Sequence, residues 1–137
     1  MKYLLDTNVF IFLINNDYNH LSPLQKSIIN NPENELFICE ASLFEMAIKM
    51  RLEKPDFAHF NMTGINRDRN SLHIKLLKSK IDHYENLVSI PKILKKDGKS
   101  HADPFDLLII ATAQKESLPI LSSDEYFPEY LIITSIS

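Results

Sequence analysis

Several features that are common in secreted, membrane and nucleotide-binding proteins are missing from this 137-residue sequence. Cys39 is its one cysteine, which excludes an intramolecular disulfide and is typical of a reducing compartment such as the cytoplasm. The two glycines form no Gly-rich phosphate loop, which argues against nucleoside triphosphate chemistry. No apolar run is long enough to span a membrane, and no signal peptide is evident. We therefore expect a cytoplasmic protein without a membrane partner.

Two common kinds of catalytic motif are also missing. The five histidines show no H-x-x-x-H pair and no pairing with cysteine, which a zinc site would favour. No G-x-S-x-G elbow supports a Ser-His-Asp hydrolase. The carboxylates are therefore the stronger candidates for a functional site.

The overall composition is that of an ordinary globular protein, with 45% apolar and 24% charged residues. A chain of this length is expected to form one domain over residues 1–137. The formal net charge of −3 argues against binding of long nucleic acids by bulk electrostatics. It favours a protein partner that is basic near the point of contact.

Short apolar runs alternate with segments of helical character along the chain. Strands are predicted at "KYLLD", "ELFIC" and "LPILSSD", with a weaker one at "LIIT" near the end. Helices are predicted over residues 8–15, 21–30, 41–53, 81–90 and 104–117. This alternation predicts a three-layer α/β/α sandwich around a central, mostly parallel sheet. Residues 55–70 are expected to form a helix-plus-loop excursion, at an edge of the site or at a dimer contact.

Four acids are expected to meet at one edge of this sheet. Asp6 and Asp124 each follow a buried strand, and parallel strands place their carboxyl ends on the same side. Glu45 and Asp106 lie near the starts of helices on that side. Four converging carboxylates repel one another unless a positive charge lies between them. Mg²⁺ or Mn²⁺ would satisfy such a site, because both prefer carboxylate oxygens.

Each acid taken alone also has a structural explanation. Asp6, with Thr7 and Asn8, can cap a helix, and Asp103 before Pro104 can do the same. Other local patterns explain Glu45 and Asp124: a Ser42–Glu45 capping box, a Glu45–Lys49 pair and a turn at Ser122–Asp124. Asp106 falls at the third helical position, where a carboxylate gains from the helix dipole. The convergence of all four acids favours the metal site over these separate explanations.

Four segments together resemble the PIN domain, and most closely its VapC-like branch of ribonuclease toxins from type II toxin–antitoxin modules. These segments are "LLDTNVF", "ASLFEMAIKMRLEK", "HADPFDLLIIATA" and "LPILSSDEYF". The resemblance implies that Asp6, Asp106 and Asp124 are the main metal ligands. Glu45 would bind through water or orient the nucleophile.

The resemblance also implies roles for residues around these acids. Asp103 would be an additional acid, Thr7 and Asn8 would brace Asp6, and Ser122 would supply a small hydroxyl group. Leu107 stands where the branch often has an arginine, so this chain departs from the branch at that position.

The function implied by the resemblance is an Mg²⁺- or Mn²⁺-dependent endoribonuclease that is inhibited by a cognate antitoxin and forms a homodimer. An alternative is a catalytically inactive PIN-like module that binds RNA or protein. A phosphatase of the haloacid dehalogenase type requires a D-x-D motif, and Asn8 stands at the second position. Which RNA is cut remains open at this point.

Overall fold

The computed structural model describes residues 1–101, 103–130 and 135–137. Its strands are β1 (Lys2–Leu5), β2 (Glu35–Cys39), β3 (Lys75–Leu77), β4 (Ile120–Leu121) and β5 (Ser135–Ile136). Its α-helices are α1 (Thr7–Ile14), α2 (Pro23–Asn30), α3 (Glu40–Arg51), α4 (Met62–Ser71), α5 (Ile81–Ser89) and α6 (Pro104–Glu116). Within the described ranges, no helix is long and apolar enough to cross a membrane.

The five strands form one parallel sheet in the order β3-β2-β1-β4-β5. Strand β1 is central, and its Leu4 pairs with Phe37 on one side and with Ile120 on the other. Because all strands run in the same direction, their carboxyl ends lie along one edge. After β1 the chain continues to β2 on one side of this strand, whereas β4 pairs with β1 on its other side. This reversal of strand order is where open α/β sheets leave a crevice for ligands.

Helices cover both faces of the sheet, as the three-layer prediction requires. Leu5 of β1 faces a core that includes Phe10 of α1 and Ile65 of α4. Leu4 points to the opposite face, into a core with Ile109 and Ile110 of α6. The alternation of side chains along β1 thus supplies both cores. The predicted α/β/α sandwich is confirmed.

Several elements differ from their predicted extents. The "ELFIC" strand is confirmed as β2, whereas β3 was not predicted. The excursion predicted over 55–70 contains a short 3₁₀ helix at Pro55–Phe57 followed by α4. The "LIIT" strand prediction falls on residues 131–134, which lie outside the described residues.

Candidate active site

Asp6 lies at the carboxyl end of β1 and is 5% exposed. Its Oδ1 accepts a hydrogen bond from the Thr7 backbone N–H at 2.8 Å, so the predicted cap of α1 is present. Its Oδ2 accepts a bond from the Ser122 hydroxyl at 2.8 Å. Because Ser122 follows β4, this bond joins the ends of two neighbouring strands.

Glu45 projects from α3 towards the same edge and is 7% exposed. The Thr7 hydroxyl lies 2.8 Å from Glu45 Oε1 and donates to it, since a carboxylate can only accept. The same hydroxyl lies 2.8 Å from Ser42 Oγ. Lys49 Nζ binds Glu45 Oε2 at 2.9 Å, which confirms the predicted i,i+4 pair.

The predicted Ser42–Glu45 capping box is wrong. Helix α3 begins at Glu40, directly after β2, with Cys39 at the N-cap position. Ser42 and Glu45 therefore lie inside the helix, and both side chains point towards Thr7. The short connection between strand and helix leaves no room for a separate capping residue.

Asp103 and Asp106 lie at the start of α6. Asp103 Oδ1 accepts bonds from the backbone N–H groups of Phe105 and Asp106, both at 3.0 Å, so its predicted capping role is confirmed. Asp106 occupies the first turn of the helix, with 20% of its side chain exposed. Leu107, which replaces the expected arginine, packs against the core beneath α6.

Asp124 lies in the turn that follows β4. Its backbone N–H donates to Ser122 Oγ at 3.0 Å, and its Oδ1 accepts from the Tyr126 backbone N–H at 2.8 Å. The predicted turn is therefore present. Asp6, Asn8 and Asp124 line one cavity of about 150 Å³, which leaves Asp124 open to a ligand.

A larger groove of about 750 Å³ begins beside this cavity. Asn8 lines both spaces, and the groove continues past Lys49 to Phe57 and His59. The first part of the 55–70 segment thus lies at an edge of the site, which is one of the two positions expected for it.

His101 is a site residue that the sequence did not reveal. Its Nε2 lies 3.4 Å from Asp106 Oδ2, and ligand atoms of His101, Asp106 and Asp124 all lie within 4.8 Å of one another. Its partners are aspartates, one in the same "HADPFD" segment and one after β4, so no spacing between histidines or cysteines could have indicated it.

Burial, together with repulsion from neighbouring carboxylates, raises the pKa of Asp106 to about 8. Burial is the largest cause, and the charges of Asp103, Asp6, Asp124 and Glu45 add to it.

The four predicted acids, Asp6, Glu45, Asp106 and Asp124, are called the carboxylate cluster below.

The pKa of Asp6 is raised to about 6, again mainly by burial. Hydrogen bonds from Ser122 and Thr7 lower it in part, while the charges of Asp124 and Glu45 raise it. Among the described residues, no lysine or arginine pairs with Asp6 or Asp106, and a divalent cation would supply the missing positive charge. The donor set of the cluster therefore fits Mg²⁺ or Mn²⁺.

We predict that the metal-free protein becomes less stable as the pH rises from about 5 to about 8. Asp6 and Asp106 have higher pKa values in the folded chain than the ordinary 3.8, so the folded protein binds more protons across this range. The free energy of unfolding must then fall with rising pH. Urea unfolding in the presence of a chelator would measure this fall.

The Asp106→Asn variant is the control for this pH effect, because it removes the most strongly shifted carboxyl group. Its stability should change less between the same two pH values. Glu35, whose pKa is lowered by Lys75, titrates below this window and does not contribute. Equal free energies of unfolding of the wild type at both pH values would contradict the raised pKa values of Asp6 and Asp106.

Asp103→Asn should keep the stability of α6, whereas Asp103→Ala should cost about 1 kcal/mol, because Asn caps a helix as well as Asp does. Urea unfolding without metal would compare the two variants. Both substitutions remove one charge beside Asp106, so the comparison isolates the cap. Equal stabilities would show that the two hydrogen bonds to Asp103 contribute nothing.

The family model of the PIN domain matches residues 3–131. The chain belongs to the PIN domain family. A comparison with curated proteins found no match.

Solved structures with a similar fold come from toxin–antitoxin complexes. VapBC2 from Rickettsia felis, bound to a promoter DNA fragment, has a TM-score of 0.66 at 17% identity, covering 100% of this PIN domain chain and 98% of the other. DNA-bound VapBC from Salmonella typhimurium gives 0.64 at 18% identity, with coverages of 100% and 97%. VapBC-5 from Mycobacterium tuberculosis gives 0.55 at 18% identity, with coverages of 99% and 95%. At sequence identities of 17–18%, the similarity to these structures establishes the fold of this chain.

Proposed function

We propose that this PIN domain is an Mg²⁺- or Mn²⁺-dependent endoribonuclease and the toxin of a toxin–antitoxin pair. The observation that carries the proposal is the carboxylate cluster at the carboxyl edge of a parallel sheet, with raised pKa values at Asp6 and Asp106. The similarity of the fold to chains of VapBC complexes supports the toxin assignment.

Asp6, Asp106 and Asp124 would hold the cation. When bound, a divalent cation activates water and stabilises the negative charge that develops on a phosphodiester under attack. Asp6 is fixed for this task by two hydrogen bonds, one to each oxygen. Asp124 is fixed by the Tyr126 N–H and faces the open cavity. Asp103 stays nearest to a structural role, because it is exposed and its Oδ1 caps α6.

Glu45 would orient the attacking water. Thr7 holds its Oε1 and Lys49 holds its Oε2, so the carboxylate is fixed in direction. Thr7 also donates its backbone N–H to Asp6, and so couples the orientations of two acids. Such pre-orientation of catalytic groups is a main source of rate enhancement in enzymes.

An antitoxin with a basic side chain would inhibit the protein by entering the carboxylate cluster. This contact would neutralise the same charges that the cation neutralises, and so compete with it.

We further propose that the chain forms a homodimer.

The test is RNA cleavage by the full chain with Mn²⁺ and with a chelator. Asp124→Asn should stay folded, because an amide oxygen can still accept from Tyr126 N–H, and should lose most cleavage and the growth arrest caused by expression. Asp68→Asn is the matched control, since Asp68 lies on α4 outside the cluster. Cleavage that persists in chelator, or in folded Asp124→Asn, would contradict the proposal. RNA binding without cleavage would favour an inactive module.

A further inference from the structure

A buried imidazole faces the carboxylate cluster. His101 is 8% exposed, and its Nε2 lies 3.4 Å from Asp106 Oδ2. This separation is longer than an ordinary N–H···O hydrogen bond of about 2.7–3.2 Å. It lies between the separations of adjacent and opposite ligand atoms of one octahedral cation bound at about 2.1 Å, which are about 3 Å and about 4.2 Å. The nitrogen therefore lies where a neighbouring ligand atom would lie.

The opposite ring nitrogen of His101 has its own partner. Nδ1 is hydrogen-bonded to the Tyr130 hydroxyl, and that hydroxyl also donates to the His101 carbonyl oxygen at 3.2 Å. Because a phenol has a single proton, this donation leaves its oxygen to accept the N–H of Nδ1. The lone pair of Nε2 then faces Asp106 and Asp124. Histidines that bind metals usually donate their other N–H in this way.

The ring is also held in its plane by packing. Tyr126 stacks on His101 with ring centroids 5.5 Å apart and an angle of 29° between the planes. Tyr130, which supplies the hydrogen bond, is 2% exposed. A ring fixed on two sides offers its nitrogen in one direction only.

We propose that His101 Nε2 is a ligand of the divalent cation, together with Asp106 and Asp124, and that the site therefore prefers Mn²⁺ to Mg²⁺. Imidazole suits transition metals, whereas Mg²⁺ binds oxygen ligands almost exclusively. The inference rests on the proposed function, which introduces the cation.

Pulsed electron paramagnetic resonance of the Mn²⁺-loaded full chain tests this directly. A coordinated imidazole couples its ¹⁴N nucleus to the Mn²⁺ electron spins, whereas a histidine that only orients Asp106 gives no such direct coupling. We expect ¹⁴N coupling in the wild type and in His73→Gln, a control at an exposed histidine away from the site. We expect no coupling in His101→Gln. Mn²⁺ bound without ¹⁴N coupling in the wild type would overturn the inference.

His101→Asn gives a second variant in case His101→Gln does not fold. Its amide occupies the region of Nδ1 and keeps a partner for Tyr130, but it is too short to reach the cation. It too should show no coupling.

Binding titrations test the metal preference. The wild type should bind Mn²⁺ at least about tenfold more tightly than Mg²⁺, and His101→Gln should lose about 10–100-fold in Mn²⁺ affinity and less in Mg²⁺ affinity. Equal losses for both ions would mean that His101 acts only through Asp106, and would overturn the inference.

These outcomes separate the inference from the proposed function. A wild type that cleaves RNA without ¹⁴N coupling would refute the His101 ligand and leave the nuclease proposal standing. A wild type with the coupling but without RNA cleavage would refute the nuclease proposal alone.

Discussion

Asp6→Asn is expected to abolish RNA cleavage and, at the same time, to stabilise the metal-free protein near pH 8. With a pKa of about 6, wild-type Asp6 is ionised at that pH in a buried position beside Asp124 and Glu45. Asn carries no charge, keeps an oxygen for the Thr7 N–H and can donate to Ser122 Oγ. The repulsion is removed while the local hydrogen bonds persist. Cleavage should fall at least about a hundredfold, on the scale for loss of a positioned catalytic group.

Thermal unfolding in chelator and an RNA cleavage assay in Mn²⁺ would measure the two effects on the same preparation. The melting temperature should rise by about 4 °C for each kcal/mol of repulsion removed. Mn²⁺ should stabilise the wild type more than Asp6→Asn, because binding to the folded state alone shifts the unfolding equilibrium. The matched control, Asp68→Asn, should change neither activity nor the response to Mn²⁺. Equal stabilisation of wild type and Asp6→Asn by Mn²⁺ would place the ion elsewhere.

Glu45→Gln is expected to fold normally and to lose about a hundredfold in cleavage rate. The amide oxygen can still accept from the Thr7 hydroxyl, so the contact between α1 and α3 persists. The lost pair with Lys49 is a partly exposed i,i+4 pair, which stabilises a helix by only about 0.3–0.5 kcal/mol. The carboxylate charge inside the cluster is the main loss.

Lys49→Gln is the comparison variant for Glu45→Gln, because it removes the same ion pair but keeps the Glu45 carboxylate. Its cleavage rate should fall less than that of Glu45→Gln, because the Thr7 hydroxyl still holds Glu45 Oε1. Circular dichroism would confirm that both variants are folded. Full activity of Glu45→Gln would show that this residue has only a structural role.

The sheet could be predicted where a strand is apolar and bounded by polar residues. "ELFIC" and "KYLLD" have this pattern because they are buried in the middle of the sheet. Strand β3 has three residues, lies at the edge of the sheet and pairs only with β2. Its two leucines between lysines form an apolar run too short to distinguish a strand from a loop.

The candidate site could be predicted in part, because two of its acids directly follow predicted strands. Asp6 and Asp124 follow strands, and parallel pairing alone brings such residues to one edge. The hydrogen bonds from Thr7 to Ser42 and Glu45 depend on how α3 is rotated against α1, which no local pattern specifies. His101 lies near Asp124 only because the segment before α6 and the turn after β4 meet in space.

The bond between Ser122 and Asp6 joins residues that are 116 positions apart in the chain. The first ligand of the proposed cation is therefore synthesised long before its partners. At about 5–20 residues per second, a ribosome needs roughly 6–23 s to make the intervening segment. During that time the emerging chain has no complete cluster, so the proposed nuclease could not cleave the messenger or the ribosome that is producing it. Because the central strand β1 is made early and its neighbour β4 is made late, the proposed antitoxin would have an interval in which to bind before the cluster is complete.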